Sequence, residues 1–179
     1  MSDRQDDKDV VGLLGPLRRY AMSLTRDPGE AEDLVHDALL RALERRDQFR
    51  TGRGLRPWLM SILHNRFVDR ARARRSEAVH NADLAMRASA EAPGAQEGVT
   101  RLADVRRFFM MLPDEQRAAL HLVTVEGLSY DEAAGTLGIP VGTLVSRLSR
   151  ARARLRDLED GKPHGNVVSF RAKGGPDAL

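Results

Sequence analysis

One stretch constrains this chain more than any other: "GLSYDEAAGTLGIPVGTLVSRLSRARARLR", residues 127–156. Ser129 and Glu132 form a capping box that opens a short helix from Tyr130 to Leu137, Gly138 supplies the left-handed turn that ends it, and Pro140 restarts a helix. Two helices joined by a tight glycine turn make a helix-turn-helix, whose second helix lies in the DNA major groove. At about 100° per residue, Val141, Leu144, Val145, Leu148, Ala151 and Leu155 gather on one side, and Thr143, Ser146, Arg147, Arg150 and Arg154 on the other. No acidic residue stands between Val141 and Arg156. The apolar side anchors the helix, and the basic side is suited to phosphate oxygens and guanine edges.

The rest of the chain also reads as helix, without strand patterns. Apolar residues recur at helical spacing from Val10 to Thr25, and "TRDPGEAEDLVHDALLRALERR" opens with a start signal in which Asp27 caps, Pro28 takes the first position and Glu30 completes the box. Ala31, Leu34, Val35, Ala38, Leu39 and Ala42 are the buried stripe, leaving Glu32, Asp33, His36, Asp37 and Arg41 outside it. After a loop carrying Gly52 and Gly54, a third helix through "LRPWLMSILHNRFVDRARARR" has Trp58, Leu59, Ile62, Leu63 and Phe67 as its core face. Its far end carries Arg66, Arg70, Arg72, Arg74 and Arg75 against one acid, Asp69. Positive charge together with the polar Asn65 makes a second candidate nucleic-acid surface.

Residues 76–99, alanine-rich with Pro93 and Gly94, read as a flexible linker. The expected organisation is all-α: a disordered start at 1–9, a helical domain at 10–75, the linker, a second helical domain at 100–158, and a disordered tail at 159–179. Met110, Met111, Phe108 and Phe109 are expected to pack in the second domain.

The chain has no cysteine, which excludes disulfides and thiolate metal sites and suits a reducing compartment, so the cytoplasm is expected. Its first residues, "MSDRQDDKD", are acidic and lack the pattern of a signal peptide, and no segment reads as a membrane span. His64, His80, His121 and His164 have no paired spacing and are expected to be satisfied or solvated. Neither a metal nor a cofactor is expected. Glu30, Glu32, Asp33, His36 and Asp37 offer a metal-dependent nuclease site as a third reading, but such a site needs further converging carboxylates. A stand-alone helix-turn-helix regulator is the other alternative.

Three segments in order resemble the extracytoplasmic-function group of sigma factors, the smallest of the sigma-70 class: "AEDLVHDALLRAL", "LRPWLMSILHNRFVDRARARR" and "LPDEQRAALHLVTVEGLSYDEAAGTLGIPVGTLVSRLSRARARLR". The resemblance covers roughly residues 10–158. It implies a sigma-2-like domain and a sigma-4-like domain, no catalytic activity, and binding to core RNA polymerase and promoter DNA. The face with Asp33, Leu34, Asp37, Leu40 and Arg41 would dock on the coiled coil of the largest polymerase subunit. The minus-ten element would fall to the loop Phe49 to Leu55 and to Asn65, Arg66, Asp69 and Arg70. The minus-thirty-five element would fall to Thr143, Ser146, Arg147, Arg150 and Arg154. His36 stands where the family more often carries glutamine. "ILHNRFVD" and "LRRYAMSLTRD" look closest to the general-stress-response branch, whose members are sequestered by a small NepR-type anti-sigma protein.

Overall fold

The computed structural model describes residues 3–49, 54–81 and 101–159. These residues form helices α1 (Asp3–Thr25), α2 (Pro28–Glu44), α3 (Leu55–Asn81), α4 (Arg101–Met110), α5 (Asp114–Leu120), α6 (Tyr130–Leu137) and α7 (Val141–Glu159), with no strand among them. A 3-10 turn, Arg46–Gln48, follows α2, and a wide π turn, His121–Val125, follows α5. Helix α1 begins at Asp3, inside the stretch expected to lack structure, and α3 continues past residue 75 to Asn81. Most of the expected linker, the tail from 160, and residues 50–53 of the loop before α3 lie outside the described residues.

Local chemistry sets the helix ends. Asp27 caps α2 by accepting from the Glu30 N–H at 2.8 Å, with Pro28 in the first turn. Glu30 does not complete a reciprocal box. Its carboxylate instead accepts from Arg74 of α3 at 3.1 Å, and the Asp27 N–H turns to Thr25 Oγ1 at 3.4 Å. A guanidinium brought close by α3 is a stronger partner than a neutral amide. At α6 both halves of the box form: Glu132 N–H donates to Ser129 Oγ at 3.2 Å, and Ser129 N–H donates to Glu132 at 2.8 Å. Those bonds from the Ser129 backbone and hydroxyl hold the Glu132 carboxyl below its ordinary pKa. Gly138 closes α6 at φ +64°.

The apolar stripes assemble two helical units. Leu17, Tyr20, Ala21 and Leu24 of α1 are buried, as are Ala31, Leu34, Val35 and Ala38 of α2 and Leu59, Met60, Leu63 and Phe67 of α3. In the second unit Ala118, Leu122, Ala134, Leu137, Leu144, Leu148 and Ala151 are buried. Each fully buried leucine adds about 1.5–3 kcal/mol relative to an exposed one. Two residues of the expected packing face of α7 lie outside this core: Val141 and Val145 are 38% and 45% exposed. They flank Leu144, and the short α5 and α6 cover only the middle of a broad stripe. Met111, expected to be core, is 55% exposed, because the chain turns at Leu112 and Pro113 and carries Leu112 inward in its place.

The two units pack on each other. Helix α3 lies against α6 and α1 against α5, and the buried apolar cluster is continuous from α1 through α7.

Candidate nucleic-acid interface

Helix α7 carries the first surface. Thr143 and Arg150 are exposed, Ser146 and Arg147 are half-buried, and all four line one shallow concavity of ≈ 430 Å³ with Pro113, Glu115 and Gln116 of the α5 entry. Arg147 is oriented rather than loose: its side chain is 20% exposed, and Nη2 lies 2.8 Å from the Glu115 carboxylate. Arg154 is half-buried with a buried Nε that makes no hydrogen bond. Exposure therefore alternates along the basic face: Thr143 and Arg150 are open, and Ser146, Arg147 and Arg154 are drawn toward the domain.

The second surface is the far half of α3. Asn65 and Asp69 are exposed, and Arg66 and Arg70 are half-buried. The arginines do not extend freely into solvent. Arg70 Nη2 donates to Asp37 Oδ2 at 2.6 Å and to the Asp33 carbonyl at 3.2 Å, and Arg66 Nη2 donates to the same Asp37 oxygen at 3.1 Å. The hydrogen bond from Arg70 is the main cause that holds the Asp37 carboxyl below the usual carboxylate range. Burial opposes it, and Arg66 assists. On α2, Asp33, Leu40 and Arg41 are exposed, and Arg41 pairs with Glu44 at 2.7 Å. Leu34 is fully buried, so it supports this face from beneath and presents no side chain to a partner. The acids weighed as a metal site diverge onto separate arginines: Glu32 onto Arg18, Glu30 onto Arg74, and Asp37 onto Arg66 and Arg70.

Trp58, at the start of α3, is half-buried and stands 5.1 Å from the Phe49 ring, centroid to centroid. It borders a cleft of ≈ 480 Å³ closed on its other side by Asp131, Glu132, Gly135 and Thr136 of α6. The helix that begins the helix-turn-helix thus sits across this cleft from Gly54 and the first turns of α3.

Sequence reasoning missed the charged links between the units. Arg117 of α5 has a fully buried side chain. It donates to the carbonyls of Ser23 and Leu24 at the end of α1, to the Leu112 carbonyl, and to Asp114 at 2.7 Å. Burial and the nearby Arg26 charge pull its pKa down, and Asp114 opposes them. Glu126, also fully buried, accepts from Arg56 of α3 and from the His121 ring at 3.2 Å, and lies 3.4 Å from Arg19 of α1. Burial pushes its carboxyl up, but His121, Arg56 and Arg19 together hold it below the ordinary value. Arg26, with φ +64°, reaches Asp114 at 3.2 Å from the turn between α1 and α2. A non-glycine residue there costs of order 1 kcal/mol or more. Helical phase could not have found Arg117, because residues 117 to 122 are all buried and no face of that turn is left to solvent.

Two histidines expected to be satisfied are so. His64 Nδ1 and the Tyr20 hydroxyl are hydrogen-bonded at 3.0 Å, and burial followed by the nearby Arg147 charge lowers the His64 pKa to about 4. The His121 ring packs 5.2 Å from the Tyr20 ring.

Comparison with known proteins gives a single picture. Residues 10–77 match the family described as Sigma-70 region 2, and residues 102–155 match Sigma-70, region 4. The chain is 39% identical over 150 residues to "ECF RNA polymerase sigma factor EcfG" of Rhodopseudomonas palustris, covering 84% of this chain and 82% of that protein. Among solved structures, the sigma factor RpoE in complex with the anti-sigma factor NepR from Bartonella quintana superposes with a TM-score of 0.72 at 36% identity, over 88% of this chain and 98% of the other. CnrH in complex with the cytosolic domain of CnrY superposes with a TM-score of 0.64 at 27% identity, over 89% and 90% of the two chains.

Proposed function

The chain belongs to the extracytoplasmic-function sigma factors of the sigma-70 family, and from that premise we propose how its two surfaces divide the work. It binds core RNA polymerase, directs promoter-specific initiation, and is held by an anti-sigma factor, of the NepR type by similarity to the Bartonella complex. The polymerase supplies the chemistry and this chain supplies recognition, without catalysis of its own. It works in the cytoplasm, and no helix among the described residues is long and apolar enough to cross a membrane.

Thr143, Ser146, Arg147 and Arg150 read the minus-thirty-five element, with Arg154 steadying the end of the helix. The exposure of Thr143 in the first turn of α7 supports this, since a recognition helix meets bases with its first turns, and Arg150, exposed at mid-helix, is open to the same groove. Asn65, Arg66, Asp69 and Arg70 take the minus-ten strand. Asp33, Asp37, Leu40 and Arg41 dock on the coiled coil of the largest polymerase subunit, supported by the exposed Leu40 among charges.

The observation that carries this reading is the presence of both sigma regions in one chain, each with a basic helix face. Packed together, the two units form a body with a radius of gyration near 15 Å. The two promoter elements lie roughly 85 Å apart along a duplex at about 3.4 Å per base pair. The units must therefore separate before both elements are read. Promoter-specific transcription by reconstituted core polymerase tests the function. A gel shift with and without core enzyme separates it from a stand-alone regulator, which would bind duplex DNA tightly unaided.

A further inference from the structure

The acids of α2 and the arginines of α3 form one ionic seam. Glu30 takes Arg74, the Asp33 carbonyl takes Arg70, and Asp37 takes both Arg70 and Arg66. The seam runs between two surfaces given separate tasks above, since Asp37 belongs to the polymerase-docking face and Arg66 and Arg70 to the minus-ten face. Both arginines spend a guanidinium nitrogen on the same carboxylate oxygen, at 3.1 and 2.6 Å. Arg66 also keeps a buried Nε without a hydrogen-bond partner, so this pairing leaves it incompletely satisfied.

We propose that Asp37 is a positioning residue that restrains Arg66 and Arg70 along the α2–α3 seam, so that engagement of its carboxylate by a cation of the polymerase releases both arginines to the phosphates of the single strand. The inference rests on the functional reading above and adds a coupling to it. A cation that binds the Asp37 carboxylate competes electrostatically with both guanidinium groups, which share its Oδ2, and so weakens the hold on each. An arginine already neutralised by Asp37 displaces little of the counterion atmosphere of a DNA strand, whereas a released one displaces its share. Linkage makes the effect reciprocal: whatever polymerase docking adds to strand affinity, strand binding adds to polymerase affinity. The depressed pKa of Asp37, caused first by Arg70, keeps the restraint in force at neutral pH.

The test is the salt dependence of binding between the purified full-length chain and a single-stranded oligonucleotide carrying the minus-ten sequence. Asp37→Asn and Asp37→Ala remove the restraint. Each should tighten binding several-fold at low salt and steepen the slope of log K against log[salt] by about 0.7 for each released arginine that meets a phosphate. Asp37→Glu, which keeps the charge, should bring the slope back toward that of the parent chain. Glu32→Gln removes an acid from the same helix that pairs only with Arg18, and it should leave the slope unchanged. A merely structural Asp37 would lower the melting temperature of the two neutral variants and leave their slopes equal to that of Glu32→Gln, and that result overturns the proposal. Reconstituted transcription by the parent chain is scored separately. Its failure would remove the sigma-factor reading, and the slopes would still decide whether Asp37 restrains the two arginines.

Discussion

Acidification should destabilise this fold before its carboxylates begin to titrate, and His64 is the reason. The ring is largely buried, its Nδ1 is hydrogen-bonded to the Tyr20 hydroxyl, and Arg147 stands near enough to disfavour a second positive charge, so its pKa falls from 6.5 to about 4. A pKa lowered in the folded state means that the unfolded chain takes up the proton first as pH falls. Stability is therefore whole above about 6.5 and drains away down to about 4. At about 1.4 kcal/mol per unit, the full effect is about 3 kcal/mol, of which about 2 kcal/mol is lost between about pH 7 and about pH 5. Asp37, Glu126 and Glu132 are held below their ordinary values, so their contributions fall away at lower pH, outside this window. The measurement is urea unfolding at a series of pH values, followed by the fluorescence of Trp58, the single tryptophan. His64→Gln keeps both a donor and an acceptor within reach of the Tyr20 hydroxyl and cannot titrate, so the parent chain should lose about 2 kcal/mol more than the variant across the window. Parallel curves for the two proteins would refute the argument.

Other perturbations follow from the same geometry. Arg117→Met leaves the Ser23 and Leu24 carbonyls of α1 without their guanidinium donor, and the Leu112 carbonyl with Arg26 alone at 3.4 Å, and should cost about 3–5 kcal/mol; a loss under about 1 kcal/mol in calorimetry would mean that water replaces the guanidinium. Gly138→Ala should cost about 1 kcal/mol by thermal melting, because φ is +64° and no atom lies within 4 Å of the added Cβ, so the penalty is conformational and not steric. Arg150→Ala should cost about 1–3 kcal/mol and relax selectivity at one position of the upstream element if Arg150 pairs with guanine; a uniform loss across promoter sequences would mark it as a phosphate contact.

What could be read without the tertiary structure was set by local interactions. The capping box at Ser129 and Glu132, the left-handed turn at Gly138 and the Asp27 cap each depend on residues within four positions of one another, and each forms as expected. The same holds for the stripe Ala31, Leu34, Val35 and Ala38 and for the exposed Thr143 and Arg150 of α7, since helical periodicity alone assigns faces. Where a second helix competes for a side chain, local reasoning stops. Glu30 abandons its capping role for Arg74, and Val145 is left outside a core too narrow to cover it.

Composition and pattern by themselves determined an all-helical chain with two basic helices and the order of its recognition segments. Only the tertiary structure decided that the two units lie together, that Arg117 and Glu126 are buried between them, and that Asp37 is shared by Arg66 and Arg70. The physical reason is distance along the chain. Periodicity and caps act within a turn or two of helix, whereas the burial of a charge is set by which distant carbonyls and guanidinium groups the packing happens to bring within about 3 Å.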